Sequence, residues 1–115
     1  MFRFQSLEIY KKSKVFHLSC KKLLKQSYYD KYTADQLTRA SFSVVLNIAE
    51  SSGRFTKLDR RKYLIISRSS AFESAAALDV MHDSETITTQ QYEQLLANAE
   101  EISTILYTMI GNLSK

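Results

Sequence analysis

A chain of 115 residues with no proline and only two glycines, Gly53 and Gly111, lacks the punctuation that strand-to-strand turns require. Hairpins and sandwiches draw on residues with fixed or permissive φ at every reversal, so this chain is confined to helices joined by a few short connections. The abundance of Leu, Ala, Lys, Gln, Glu and Ser points the same way. At this length one domain is expected, spanning 1–115 and burying about two thirds of the surface the unfolded chain exposes.

Apolar spacing and cap residues predict four helices, over approximately 6–28, 34–52, 57–82 and 89–113. In the first, Ile9, Phe16, Cys20, Leu23 and Leu24 share one side at 100° per residue, and Leu7 and Leu18 project with the lysines on another. Thr33 with Gln36 fits a capping box for the second helix. Its core face is Leu37, Ala40, Ser41, Val44 and Ile48, with Phe42, Val45 and Ala49 beside it. Gly53 is placed to close this helix in the left-handed conformation. Thr56 with Asp59, and Thr88 with Gln91, mark the next two starts. In the last helix Tyr92, Leu95, Ala99, Ile102, Leu106, Met109 and Leu113 recur at steps of three and four, the spacing of a bundle seam. The expected fold is all-α, an antiparallel up-and-down four-helix bundle. The third helix stands apart: "YLIISRSSAFESAAALDVM" has apolar or small residues on every side, as in a helix covered around most of its circumference, and this predicts a homo-oligomer.

Charge divides the chain. Residues 1–68 carry a formal charge of +10 and residues 69–115 one of −6. Such a split serves a polyanion, or mutual neutralisation within a fold or between subunits. The single Cys20 excludes a disulfide framework and suits a reducing compartment. The opening "MFRFQSLEIYKKSK" has charges where a signal peptide needs its apolar centre, and "ASFSVVLNIA" is too short to span a bilayer. A cytoplasmic protein without a membrane partner is expected.

Two sets of polar residues invite a role. Arg39, Ser43, Asn47 and Glu50 fall along one narrow edge of the second helix, beside the core, where paired polar groups fix how helices meet. The second set is basic: Lys11, Lys14, Lys21, Lys22 and Lys25 on the first helix, with Arg54, Lys57, Arg60, Arg61 and Lys62 around the start of the third. These are the candidate phosphate contacts, set against the plainer reading of a solvated face. Tyr28, Tyr29 and Tyr32 offer either stacking surface or packing onto the bundle end. Catalytic arrangements fare poorly. A ferritin-like centre needs Glu-x-x-His on two helices, and only Asp79 with His82 approaches it. His17 and Cys20 lack an orienting acid or an oxyanion site, and His82 with Asp83 suits a helix C-terminus. No enzyme, cofactor or metal is expected.

"QLTRASFSVVLNIAESSGR" followed by "YLIISRSSAFES" resembles the signature of the four-helix-bundle proteins encoded by intervening sequences of bacterial 23S ribosomal RNA genes. The matching positions are Arg39 and Ala40, Ser43, Asn47 to Glu50, Gly53 and Arg54, then Ser70 and Glu73, which joins the polar strip. The pattern departs at Val45, where proline is usual, at Ser51 and Ser69, usually glycine, and at Thr38, often arginine. The same family is similar to the accessory variability protein of diversity-generating retroelements. The resemblance implies a small non-catalytic protein, a homo-oligomer such as a pentamer, and partners among RNA, DNA or a protein such as a reverse transcriptase.

Overall fold

The computed structural model describes residues 2–26 and 29–114; Tyr28, and with it the expected end of the first helix, lies outside the described residues. A 3-10 turn at Arg3–Ser6 leads into α1 (Glu8–Gln26), α2 (Lys31–Ser52), α3 (Lys57–Asp83) and α4 (Thr89–Asn112). There is no strand among the described residues. Each helix packs on its chain neighbour and α1 closes the ring on α4, while the backbones of the diagonal pairs α1/α3 and α2/α4 stay apart. This is an antiparallel up-and-down four-helix bundle measuring 44 × 27 × 22 Å.

Local chemistry sets the helix ends. Asp30, not Thr33, caps α2: its carboxylate accepts from the Thr33 backbone N–H at 2.7 Å and from the Thr33 hydroxyl at 2.9 Å. A carboxylate at the positive end of a helix dipole outcompetes a hydroxyl one turn later, so α2 starts three residues earlier than the threonine signal suggests. Thr56 caps α3 through the Asp59 N–H, and Thr88 with Gln91 forms a full reciprocal box at α4. Gly53 does not adopt the expected left-handed conformation. Its φ of −87° is right-handed, because α2 ends on tight bonds from Gly53 N to Glu50 O and Arg54 N to Ser51 O, both 3.1 Å. The left-handed residue is Glu85, with φ 61°, at the end of α3, where Thr86 N donates to Met81 O in the helix-ending pattern.

The core consists of the residues that the periodicity selects. Ile9, Phe16, Cys20, Leu23 and Leu24 meet Leu37, Val44 and Ile48, then Leu64, Leu78 and Met81, then Leu95, Ala99, Ile102 and Leu106. Leu7 packs against this core instead of standing with the lysines, and Phe42 is 46 % exposed. α3 turns small residues inward: Ser67, Ser70, Ala71 and Ser74 are buried, and the Ser67 hydroxyl donates to the Val44 carbonyl of α2 at 2.8 Å. Small side chains let the two helices approach closely, and α2/α3 is the most extensive helix pair. Several large apolar residues of α3 are left outside. Leu58, Phe72 and Val80 are 76 %, 54 % and 62 % exposed, with Ile65 and Ile66 between them.

Candidate nucleic-acid interface

The lysines of α1 occupy the side opposite its buried stripe because Lys11, Lys14, Lys21, Lys22 and Lys25 fall roughly half a turn away from Ser13, Phe16 and Cys20. All five are exposed. The row runs about 21 Å along the helix axis at 1.5 Å per residue. Lys11 forms an ion pair with Glu8 at 3.5 Å, and the Lys14 ammonium sits 5.1 Å from the Tyr10 ring centroid. Lys21, Lys22 and Lys25 form no hydrogen bond or ion pair with a described residue. Leu18, 56 % exposed, stands among them. The neighbouring Lys12, which sequence reasoning passed over, is committed elsewhere: it bridges to Glu101 on α4 at 2.7 Å, and that hydrogen bond raises its pKa.

The second basic group is built differently. Arg54 lies beyond α2, yet its guanidinium returns to the Glu50 carboxylate, which raises the arginine pKa, and donates to the Tyr63 hydroxyl at 2.7 Å with the ring centroid 4.5 Å away. Arg60 Nε donates to the Arg54 carbonyl at 2.7 Å, while the Arg60 carbonyl accepts from Ser51 Oγ at 2.8 Å. These bonds lock the α2–α3 connection. Arg61 Nε donates to Ser114 Oγ at 2.8 Å, and Lys62 lies 5.7 Å from the Tyr63 ring centroid. Lys57 is exposed at the first position of α3. Since α1 and α3 are diagonal in the ring, the fold does not merge the two groups into one face. The antiparallel order brings the arginine end level with Lys11 and Lys14, and leaves Lys21, Lys22 and Lys25 toward the other end.

The polar strip beside the core separates in the same way. Asn47 Nδ2 donates to the Ser43 carbonyl and hydroxyl at 2.9 and 3.0 Å, and the Ser43 and Ser70 hydroxyls meet at 2.8 Å across α2/α3. Glu50 extends the strip through Arg54. Arg39 and Glu73 do not join it: both are exposed and neither forms a hydrogen bond or ion pair with a described residue. Their Cβ positions fall just outside the helix contact, a distinction of a few tens of degrees that a projection does not resolve.

Of the tyrosines, Tyr29 packs against the core and Tyr32 is 74 % exposed. His17 and Cys20 both turn toward Ser41. His17 Nδ1 is 2.7 Å from the Ser41 hydroxyl, the ring stacks on Phe42 at 4.9 Å, and burial together with Lys21 lowers its pKa. Burial pushes the Cys20 thiol up to about 12, so it stays protonated and packs as a small apolar residue. At the other end of the bundle His82 stacks on Tyr92, whose hydroxyl donates to Asp79 at 3.0 Å.

One cation that the sequence reading left aside stands out in space. Arg68 is held between the rings of Phe72 and Tyr107, 4.8 and 5.3 Å from their centroids, and donates to the Ser103 carbonyl at 3.1 Å. As the lone cation midway along α3, with an aromatic four residues on, it carried the signal of a stacked arginine.

Comparison with known proteins adds two findings. The family model for the 23S rRNA-intervening sequence protein matches residues 5–108. The crystal structure of a protein with unknown function from the S23 ribosomal protein family of Bacteroides thetaiotaomicron VPI-5482 superposes with a TM-score of 0.84. It is 26 % identical, covering 89 % of this chain and 97 % of that one. None of the curated proteins matches the chain.

Proposed function

From the premise that the chain belongs to the 23S rRNA-intervening sequence protein family, we propose a non-enzymatic, oligomeric helical-bundle protein that binds structured RNA or another nucleic acid through the basic face of α1. The observation that carries this reading is the row Lys14, Lys21, Lys22 and Lys25, exposed and matched by no carboxylate of a described residue, although α4 carries several acidic residues. The ion pairs Lys11–Glu8 and Arg54–Glu50 stay within the basic half, and Lys12–Glu101 joins it to the acidic half. This supports a basic row on α1 that stays available to a polyanion. Lys57, Arg61 and Lys62 extend the contacts at one end, while Arg54 and Arg60 shape the connection that presents them. With no base-reading element, recognition rests on phosphate geometry and duplex shape.

A gel-shift titration with a structured ribosomal RNA fragment at two salt concentrations tests the reading. Affinity should fall steeply with salt, and Lys14→Glu, Lys21→Glu and Lys25→Glu together should abolish it in a folded protein. Absence of binding at low salt, or binding indifferent to salt, refutes it.

The apolar outer face of α3 supports a second reading, a protein-interaction scaffold that does not touch nucleic acid. A helix exposing Leu58, Ile65, Ile66, Phe72 and Val80 is suited to burial against protein, either further copies as in a pentamer or a partner such as a reverse transcriptase. Light scattering together with the RNA titration separates the two: the scaffold assembles and ignores polyanions. No helix among the described residues is long and apolar enough to cross a membrane.

A further inference from the structure

At the end of the bundle that carries the α2–α3 connection, the helices splay around a cavity of about 300 Å³. Its floor is the end of the core, formed by Leu7, Ile48, Leu64 and Met109. Two arginines line it, Arg3 from the 3-10 turn and Arg60 from α3. No aspartate or glutamate lines it. Arg3 forms no side-chain hydrogen bond or ion pair with a described residue, and Arg60 uses Nε on the Arg54 carbonyl while its terminal nitrogens have no described partner. Ser52 and Asn112 at the rim add neutral donors.

Apolar floor, two arginines and no acidic side chain among the described lining residues are the complement of one ligand class. We propose that this cavity binds a small free carboxylate bearing an apolar tail, with the carboxylate between Arg3 and Arg60 and the tail on Leu7, Leu64 and Met109. A guanidinium recognises a carboxylate through two parallel N–H bonds, and desolvation over an apolar floor strengthens that attraction. The volume lies at the lower end of small-molecule sites, which suits a short tail and excludes a diacyl lipid. This site is separate from the α1 lysine row and does not depend on nucleic-acid binding.

The test is calorimetric titration of the full chain with decanoate, and with decyltrimethylammonium as a cation of equal tail length, both below their micellar concentrations. Decanoate should bind saturably at one site per chain and the cation should not. Arg3→Gln should weaken decanoate about tenfold, the loss of one charge-assisted hydrogen-bonding group, without moving the urea midpoint, since Arg3 supports no other described side chain. Ser52→Trp, which fills the rim, should abolish binding. Anionic phospholipid vesicles should not compete, because their tails are held in the bilayer. Lys14→Gln with Lys21→Gln should leave decanoate affinity unchanged. Failure of decanoate to saturate, equal binding of the cation, undiminished affinity in Arg3→Gln, or competition by vesicles would each overturn the proposal.

Discussion

The hydroxyls of Ser43 on α2 and Ser70 on α3 face each other at 2.8 Å, and the direction of their hydrogen bond follows from proton count. Ser70 donates its one proton to the Ile66 carbonyl at 3.1 Å, and Ser43 already accepts from Asn47, so Ser43 donates to Ser70. The relay runs Asn47, Ser43, Ser70, Ile66 and joins the two most closely packed helices. Ser70→Ala should cost about 1 kcal/mol, and Ser43→Ala with Ser70→Ala should cost less than the sum of the two single changes. Urea midpoints at unchanged m-value measure both; strict additivity would mean the pair is not coupled.

His17 makes stability depend on pH with a definite sign. Its folded pKa lies below the ordinary 6.5, chiefly through burial, so as pH falls the unfolded chain takes up a proton before the folded one does. The contribution is fully present above about pH 6.5 and is lost as pH falls from there toward the folded value. His17→Gln, which keeps a partner for Ser41, should lose less stability than the parent between pH 7 and pH 5. Equal slopes in paired denaturant series would contradict this.

Two positions in connections carry residues whose backbone requirements are exchanged. Glu85 holds φ 61°, which costs a side-chain-bearing residue about 1 kcal/mol, so Glu85→Gly should raise the thermal midpoint. Gly53 holds an ordinary right-handed φ, and an added Cβ would meet only the Glu50 carbonyl at 3.6 Å. Gly53→Ala should therefore be tolerated, gaining about 0.5 kcal/mol by restricting the unfolded chain. A midpoint drop of several degrees for Gly53→Ala would show that this connection needs glycine after all.

The outer face of α3 should govern assembly. Ile66→Glu with Phe72→Glu places charges on the exposed stripe and leaves the inward serines untouched. The variant should keep its helical circular dichroism and sediment as a smaller species than the parent at equal concentration. Identical sedimentation of both proteins would remove this face from any interface.

Much of this architecture was decided locally. With no proline and two glycines, four amphipathic stripes and threonine caps at residues 56 and 88, the chain has no alternative to four helices, because caps and periodicity depend on neighbours within a turn or two. The seam of α4 and the core face of α1 are legible for the same reason. What only tertiary structure decided involves residues far apart in sequence: that Ser70 meets Ser43 while Arg39 and Glu73 stand clear, that Lys12 spends its charge on Glu101, and that Arg68 lies between Phe72 and Tyr107. It also decided that the two basic groups of the first half point apart, since ring order sets α1 and α3 on a diagonal. A helical projection gives each side chain its angle about its own axis. The neighbour across the interface is chosen only when four such axes pack at once.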